Sequence, residues 1–324
     1  MLKTFILLIL LWCACVPSQT MADLRSDELM LSQQEVSEAI TTLMDQLDRT
    51  YLFHQRVPSV NARLLAERNS PSFQREFQFG RFQRTLTAIL VDESDDTHFE
   101  IIERQTAHDG QAAPGSLPGG IATAWLNDTV FYLAIDGDLD LPLARAAFAD
   151  ALNAGSDATA VVIDLRTAGF GSVPLSRYLL SYFVAPDMAL ANIVYPHSRT
   201  ERLMPVNLKQ VRPSTDIPVY IIHSAFVGGA WEFFSYTLKH AGRATIIGEP
   251  TLGQAYLTKA LPLSDHVAAK MVYAELRHPE TGENWQGWGV LPHYKTRATE
   301  ALDCARMLTG ADNGERVVCQ PADN

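Results

Sequence analysis

The sequence predicts an α/β fold preceded by a small helical domain. From about residue 129 onward, short apolar segments alternate with amphipathic segments, a pattern typical of parallel strands joined by helices. Before that point, apolar residues recur at helical spacing. The chain has 324 residues, of which 47% are hydrophobic, so it is long enough to bury a large core in one or two domains.

The helical domain is predicted to span residues 23–105 and begins with a capping signal. Ser32 and Glu35 have the spacing of a capping box, and Leu31 and Val36 have that of a hydrophobic staple. Helices are predicted over residues 33–51, 60–67 and 73–90.

The α/β domain is predicted to span residues 106–300, and a C-terminal tail is predicted at residues 301–324. The predicted strands are residues 129–135, 160–165, 219–223, 245–248 and 266–276. The predicted helices are residues 141–153, 174–183 and 229–240. This order predicts a parallel sheet with helices packed on it.

The N-terminus has the pattern of a signal peptide over residues 1–22. Lys3 supplies positive charge, residues 5–12 are apolar, and Thr20 and Ala22 stand at −3 and −1 of a cleavage site. An uncleaved anchor helix is the alternative, which the short apolar run disfavours. We therefore expect an exported protein, in the periplasm or outside the cell.

The cysteines support two further expectations. Cys15 follows Ala14 within the signal segment and is a candidate for lipid attachment, although Trp12 stands where a lipobox prefers Leu. Cys304 and Cys319 remain in the mature chain, and two cysteines in an exported protein favour a disulfide over two free buried thiols.

The charge balance excludes some functions. The net charge is −11 and the pI is about 5.3, which argues against nucleic-acid binding. After the N-terminus no apolar run reaches ~18 residues, so we expect membrane contact only through the signal segment or a lipid at Cys15. We expect no cofactor and no metal.

Residues 217–249 resemble the active-site region of the tail-specific, or C-terminal processing, serine proteases. That family writes its strand-to-helix elbow as Thr-Ser-x-x-Thr-x-Ser-Ala-Ala-Glu, with the second Ser as nucleophile. Ala230 and Glu232 fall on the family's first Ala and its Glu, and the nucleophile's position is Gly229. A glycine carries no oxygen that attacks a carbonyl carbon.

The resemblance extends from about residue 31 to residue 294. It is strongest to the branch related to interphotoreceptor retinoid-binding protein, which often lacks a PDZ domain. Only about thirty residues separate His98 from the predicted strand at Thr129, too few for a PDZ domain. The resemblance implies a crotonase- and Clp-like layered core of βαβ units.

Residues 164–171 resemble the family's Asp-Leu-Arg-x-Asn-Gly-Gly-Gly turn, which supplies an N–H group to the oxyanion hole. Gly169 and Gly171 are kept, but Ala168 replaces the Asn and Phe170 replaces the middle Gly. The side chain of Phe170 is expected to restrict the turn and crowd the pocket.

The family uses two catalytic schemes, and this sequence departs from both. In the Ser–Lys scheme the lysine falls at Gln254, 25 residues after Gly229 (254 − 229). An amide does not accept the proton of a serine. In the Ser–His–Glu scheme His98 of Asp96-Thr97-His98 keeps the histidine, whereas the glutamate falls at Gln286. A neutral amide does not stabilise an imidazolium as a carboxylate does.

Other residues are candidates for a replacement nucleophile or for a zinc site. Ser224 and Ser235 are alternative nucleophiles, but both lie several residues from the elbow. His223, His278 and His293 lack the spacing of a zinc site.

The glycine pair Gly228-Gly229 has two interpretations. The free N–H groups of a helix N-terminus bind a carboxylate such as a peptide C-terminus, or the glycines only form the turn.

The favoured interpretation is an exported pseudoenzyme on a serine-type peptidase scaffold. Such a protein no longer carries out proteolysis and binds peptide tails or a partner protein in the former cleft. Two alternatives remain: an active serine-type peptidase with an unrecognised nucleophile, and a carrier of small apolar ligands.

Overall fold

The computed structural model describes residues 29–104, 120–137, 139, 141–208, 217–311 and 319–322. The predicted signal peptide and Cys15 lie outside these residues. The chain divides into two compact units. The first contains Met1–Asp48, Gln55–Gln105 and Ala260–Met271, and the second contains Arg49–His54, Thr106–Lys259 and Val272–Asn324.

The described chain contains fourteen strands and seven α-helices. The strands are β1 (Met30–Leu31), β2 (Phe77–Gln78), β3 (Glu100–Glu103), β4 (Gly120–Trp125), β5 (Val130–Asp136), β6 (Ala160–Thr167), β7 (Ala191–Val194), β8 (Thr200–Leu203), β9 (Val219–His223), β10 (Ala244–Gly248), β11 (Tyr256–Pro262), β12 (Val267–Arg277), β13 (Tyr294–Lys295) and β14 (Gln320–Pro321). The helices are α1 (Gln33–Thr50), α2 (Val57–Arg68), α3 (Phe79–Ser94), α4 (Leu141–Ala154), α5 (Val173–Phe183), α6 (Gly229–His240) and α7 (Ala301–Thr309).

The first unit is mainly helical. The Oγ of Ser32 accepts a hydrogen bond from the N–H of Glu35 (3.2 Å), as the capping signal predicts. The Glu35 carboxylate accepts hydrogen bonds from Ser264 Oγ (2.8 Å) and from the N–H of His266 (3.1 Å). Burial alone would raise the pKa of Glu35, but these hydrogen bonds lower it. The carboxylate therefore fastens the start of α1 to the turn between β11 and β12.

The second unit is built on a seven-stranded sheet in the order β14-β13-β10-β9-β6-β5-β4. Its strands β5, β6, β9, β10 and β13 are parallel, and the edge strands β4 and β14 pair antiparallel. Val161 and Ile163 point to a core packed by α4, α5 and α6, whereas Ala160 and Val162 point to a core packed by α7. Successive residues face opposite sides of a sheet, so the unit has the three layers of the predicted α/β class.

The two units differ from the predicted domain boundaries. Residues 260–271 belong to the first unit, because β3 pairs with the first residues of β12. Residues 49–54 belong to the second unit. The predicted tail at 301–324 contains α7, whose Ala301 and Cys304 are fully buried. The third helix begins at Phe79 rather than at residue 73, because residues 77–78 pair with β1.

A disulfide joins Cys304 of α7 to Cys319, with the two Cα atoms 5.3 Å apart. It ties α7 to the segment that enters the edge strand β14. Among the described residues, no helix has the length and apolar character needed to cross a membrane.

Replacement of both cysteines by serine is expected to lower the free energy of unfolding. The disulfide closes a loop with a sequence separation of 15, for which the loss is about 3 kcal/mol. Urea unfolding of the wild type and of the Cys304→Ser, Cys319→Ser variant measures it. A reducing agent should shift the wild-type midpoint and leave that of the variant unchanged. Equal midpoints for the two oxidised proteins would contradict the prediction.

Candidate functional site

The elbow between β9 and α6 keeps an uncommon backbone conformation. Gly229 has a φ of +56°, and a β-carbon there would lie 3.1 Å from the carbonyl oxygen of Phe170. A left-handed φ of this kind costs most residues free energy, but glycine adopts it readily. A nucleophile on a sharp strand-to-helix turn is held under such strain, and here the position holds the one residue type that relieves it.

The N–H groups at the start of α6 all donate within the protein. Gly228 donates to the carbonyl of Gly169 (3.0 Å), Gly229 to the carboxylate of Glu232 (2.9 Å), and Ala230 to the carbonyl of Phe170 (2.8 Å). An oxyanion hole and a carboxylate site both need such donors to be available. The geometry therefore favours the interpretation in which the glycines form the turn.

The turn predicted for the oxyanion hole lies directly beside the elbow. Gly169 and Gly171 both have a positive φ, so the backbone keeps the shape that glycines allow. It presents carbonyl oxygens to α6, however, and the side chain of Phe170 covers Gly228, with two ring atoms 2.8 Å from the place of a β-carbon there.

Glu232 joins the elbow to the loop after β10. Its carboxylate is fully buried, and it accepts hydrogen bonds from four donors. These are the N–H groups of Gly229 (2.9 Å), Gly253 (2.6 Å) and Gln254 (2.8 Å), and the hydroxyl of Thr251. Glu232 therefore fixes the backbone both at Gly229, the predicted nucleophile position, and at Gln254, the predicted lysine position.

Gln254 and Gln286 stand at the two positions that the resemblance predicts to be catalytic. The side chain of Gln254 is exposed. The Oε1 of Gln286 accepts hydrogen bonds from the N–H groups of Ala255 (2.8 Å) and Tyr256 (3.2 Å). An amide oxygen accepts these bonds as a carboxylate oxygen does. The substitution therefore keeps an acceptor for the backbone while it removes the charge.

His98 lies in the first unit. Its Nδ1 is 2.7 Å from Oδ1 of the buried Asp96, which also accepts a hydrogen bond from the N–H of His98 (3.0 Å). The carboxylate orients the ring, as it does for a general base. Asp96 and His98 of the predicted motif are therefore in direct contact.

Neither alternative serine is placed to attack a substrate. Ser224 is buried, and its hydroxyl donates to the carbonyl of Arg166 (2.7 Å). Ser235 is fully buried, with its Oγ 2.7 Å from Nε2 of His223. His223 is also fully buried, and this burial lowers its pKa to about 3. The sequence did not predict this Ser–His pair, which has the contact of a dyad without access to solvent.

The histidines considered for zinc are not gathered into a metal site. Nδ1 of His293 accepts a hydrogen bond from the N–H of Ile246 (2.9 Å), and Nδ1 of His278 accepts one from the N–H of Thr281 (3.1 Å). Within the part of the chain that the structure describes, no group of three or more His, Cys, Asp or Glu side chains is arranged to hold a metal ion.

Four apolar side chains surround the elbow and remain exposed; we call them the apolar rim. They are Phe170 (50% exposed), Phe226 (79%), Leu252 (42%) and Trp288 (80%). Their loops are held together by backbone hydrogen bonds, from Leu252 N–H to the Val227 carbonyl (3.0 Å) and from Gly287 N–H to the Gly253 carbonyl (2.8 Å). Large apolar residues in loops were the signal that the sequence offered for this surface.

Glu232→Gln is expected to lower the free energy of unfolding by about 3 kcal/mol, because it turns an NH₂ group toward buried N–H donors. Chemical denaturation measures the loss. Glu249→Gln is the matched control, since Glu249 accepts from Ala225 N–H (2.9 Å) at a partly exposed site. It should cost at most about 1 kcal/mol. Similar losses in both variants would contradict the role assigned to Glu232.

Solved structures of similar fold are known. A lipoprotein from Streptococcus agalactiae superposes with a TM-score of 0.62 at 14% identity, covering 85% of this chain and 96% of that chain. The photosystem II D1 C-terminal processing protease superposes with a TM-score of 0.59 at 14% identity, covering 81% of this chain and 93% of that chain. Identity this low shows the fold alone.

A family model gives the closer assignment, although the retinoid-binding-protein-like branch stays a prediction. The model of peptidase family S41 matches residues 138–296, the segment that carries the elbow at Gly229 together with Gln254 and Gln286. Residues 138–296 therefore match peptidase family S41.

Proposed function

We propose that this protein is an exported member of family S41 that has lost peptidase activity. It binds peptide tails or a partner protein in the former active-site cleft, around the elbow. The main support for the proposal is the structure of the elbow. Gly229 has no nucleophile, and its own N–H and that of Ala230 are hydrogen-bonded within the protein.

Peptide hydrolysis by a serine-type enzyme needs a nucleophile, a base that takes its proton and donors for the oxyanion. The first is missing at Gly229, and the lysine base is missing at Gln254. The donors are occupied by Glu232 and Phe170. Ser235, which does contact a histidine, is fully buried. Several independent requirements fail together, which argues against an active peptidase with another nucleophile.

The apolar rim supports binding. Exposed apolar side chains that cluster on a surface mark sites of interaction with other molecules, and Phe226 and Trp288 are each exposed by more than three quarters. Strand β9, which leads into the elbow, is paired on both sides by β6 and β10. A peptide would therefore bind through its side chains rather than by adding a strand at β9. The open position of the rim fits a polypeptide better than a small ligand that must be enclosed.

Export is part of the proposal. The signal-peptide pattern over residues 1–22 and the fold shared with a streptococcal lipoprotein both support it. Attachment of a lipid at Cys15 would hold the protein at a membrane surface.

The purified protein is expected not to cleave unstructured C-terminal peptides, as read by mass spectrometry. Gly229→Ser combined with Gln286→Glu should not restore cleavage, because the oxyanion donors stay occupied. At Gly229, with a φ of +56°, serine should also lower the free energy of unfolding by roughly 1–2 kcal/mol. His98→Ala controls for contaminating protease. Cleavage by the wild type that disappears in His98→Ala would overturn the loss of activity.

Peptide binding is expected to depend on the apolar rim. Phe226→Ala and Trp288→Ala should each weaken binding of a labelled peptide with an apolar C-terminal residue about tenfold or more. Fluorescence anisotropy measures the affinity. Trp125→Ala is the matched control, because Trp125 is an exposed tryptophan on edge strand β4, outside the rim. An equal loss in the control would place the binding surface elsewhere.

A further inference from the structure

A cavity of about 1100 Å³ lies in the second unit, beside β10. It is lined by residues at the starts of β9 and β10, among them Val219 and Ala244, and it extends to Lys295, which pairs with Gly248 at the end of β10. Strand β13 pairs only with Ile247 and Gly248 of β10. On the side away from β9, the first residues of β10 therefore border the cavity instead of a neighbouring strand.

The cavity is cationic in an acidic protein. Lys239, Arg243 and Lys295 line it together with His293, and the described lining residues include no Asp or Glu. The whole chain has a net charge of −11. A concave surface lined by one sign of charge concentrates ligands of the opposite sign, so this cavity favours anions.

Lys239 is a partly buried cation whose hydrogen-bond acceptor is uncharged. Its Nζ donates to the carbonyl oxygen of Leu291 (2.6 Å), and burial lowers its pKa. A neutral carbonyl compensates only part of the desolvation of an ammonium group, and an anion would compensate the rest. Arg243 has another role, because its Nε donates to the carbonyl of Phe183 (3.0 Å) and anchors the backbone.

His293 adds a donor of defined orientation. Its Nδ1 accepts a hydrogen bond from the N–H of Ile246 (2.9 Å), so the proton of the neutral ring is on Nε2. Burial also lowers the pKa of His293, which favours the neutral form of the ring. An anion in the cavity therefore meets an N–H donor beside the ammonium groups.

Most of the remaining lining residues are apolar, apart from Thr245 and Tyr294. They include Val219 and Leu291 and the four prolines Pro218, Pro250, Pro292 and Pro321. The ring of a proline fixes φ, so these segments lose little freedom when a ligand binds. Many small-molecule sites have such apolar walls with a few polar groups that orient the ligand.

We propose that this cavity binds a small organic acid, with its anionic head at Lys239 and Lys295 and its apolar body against the proline-lined walls. None of its lining residues belongs to the apolar rim, and the proposal does not depend on the function proposed for the elbow.

The test measures binding of octanoate, 1-octanol and inorganic phosphate to the purified protein by isothermal titration calorimetry. Octanoate is expected to bind saturably. The affinities for 1-octanol and for phosphate should each be lower by about tenfold or more. Octanol lacks the charge, and phosphate lacks the apolar body. Affinity for octanol or for phosphate equal to that for octanoate would overturn the proposal, as would the absence of saturable octanoate binding.

Two variants locate the site. Lys295→Gln and Lys239→Met should each weaken octanoate binding about tenfold. Lys295 is exposed, so its variant tests the proposal even if Lys239→Met fails to fold. Lys270→Gln is the control, because it removes the same charge from an exposed residue outside the lining. Unchanged binding in Lys295→Gln, or an equal loss in Lys270→Gln, would overturn the assignment.

Discussion

The buried carboxylate of Glu232 is the contact on which the arrangement of the elbow depends. A carboxylate without partners costs several kcal/mol in a protein interior, so the start of α6 and the loop after β10 must both keep their donors on it. Thr251, one of those donors, also accepts a hydrogen bond from the N–H of Val290 (2.7 Å). The constraint therefore extends to the segment that carries Gln286, and one side chain fixes the backbone around three positions that were predicted to be catalytic.

The same constraint accounts for the closed oxyanion hole. A catalytic hole keeps N–H donors ready for a charge that forms only during the reaction. An N–H group without a partner costs about 1–3 kcal/mol when buried. At the elbow the donors of Gly229 and Ala230 are satisfied by Glu232 and Phe170, and glycine removes the strain of a positive φ. Each of these features stabilises the folded backbone of the elbow.

Local patterns allowed much of the fold to be predicted, but long-range contacts were out of reach. The bounds of β9 and α6 agree with the sequence prediction, because an apolar run and a glycine turn define them locally. The partners of Glu232 were not predictable, since Gly253 lies 21 residues further along the chain. Helix α7 lies within the predicted tail, because a helix of nine residues gives a weak periodic signal and owes its stability to packing on the sheet.

The apolar rim is the feature that the stability of this protein does not explain. Trp288 is 80% exposed. Such a side chain contributes little to the stability of the hydrophobic core, because the hydrophobic effect scales with the area removed from water. The loops beneath the rim are nevertheless fixed by Glu232, Thr251 and Gln286, so its side chains are presented on a rigid backbone. A rigid apolar surface loses little conformational entropy when a partner covers it, and contact with a partner is the physical role that its exposure and rigidity have in common.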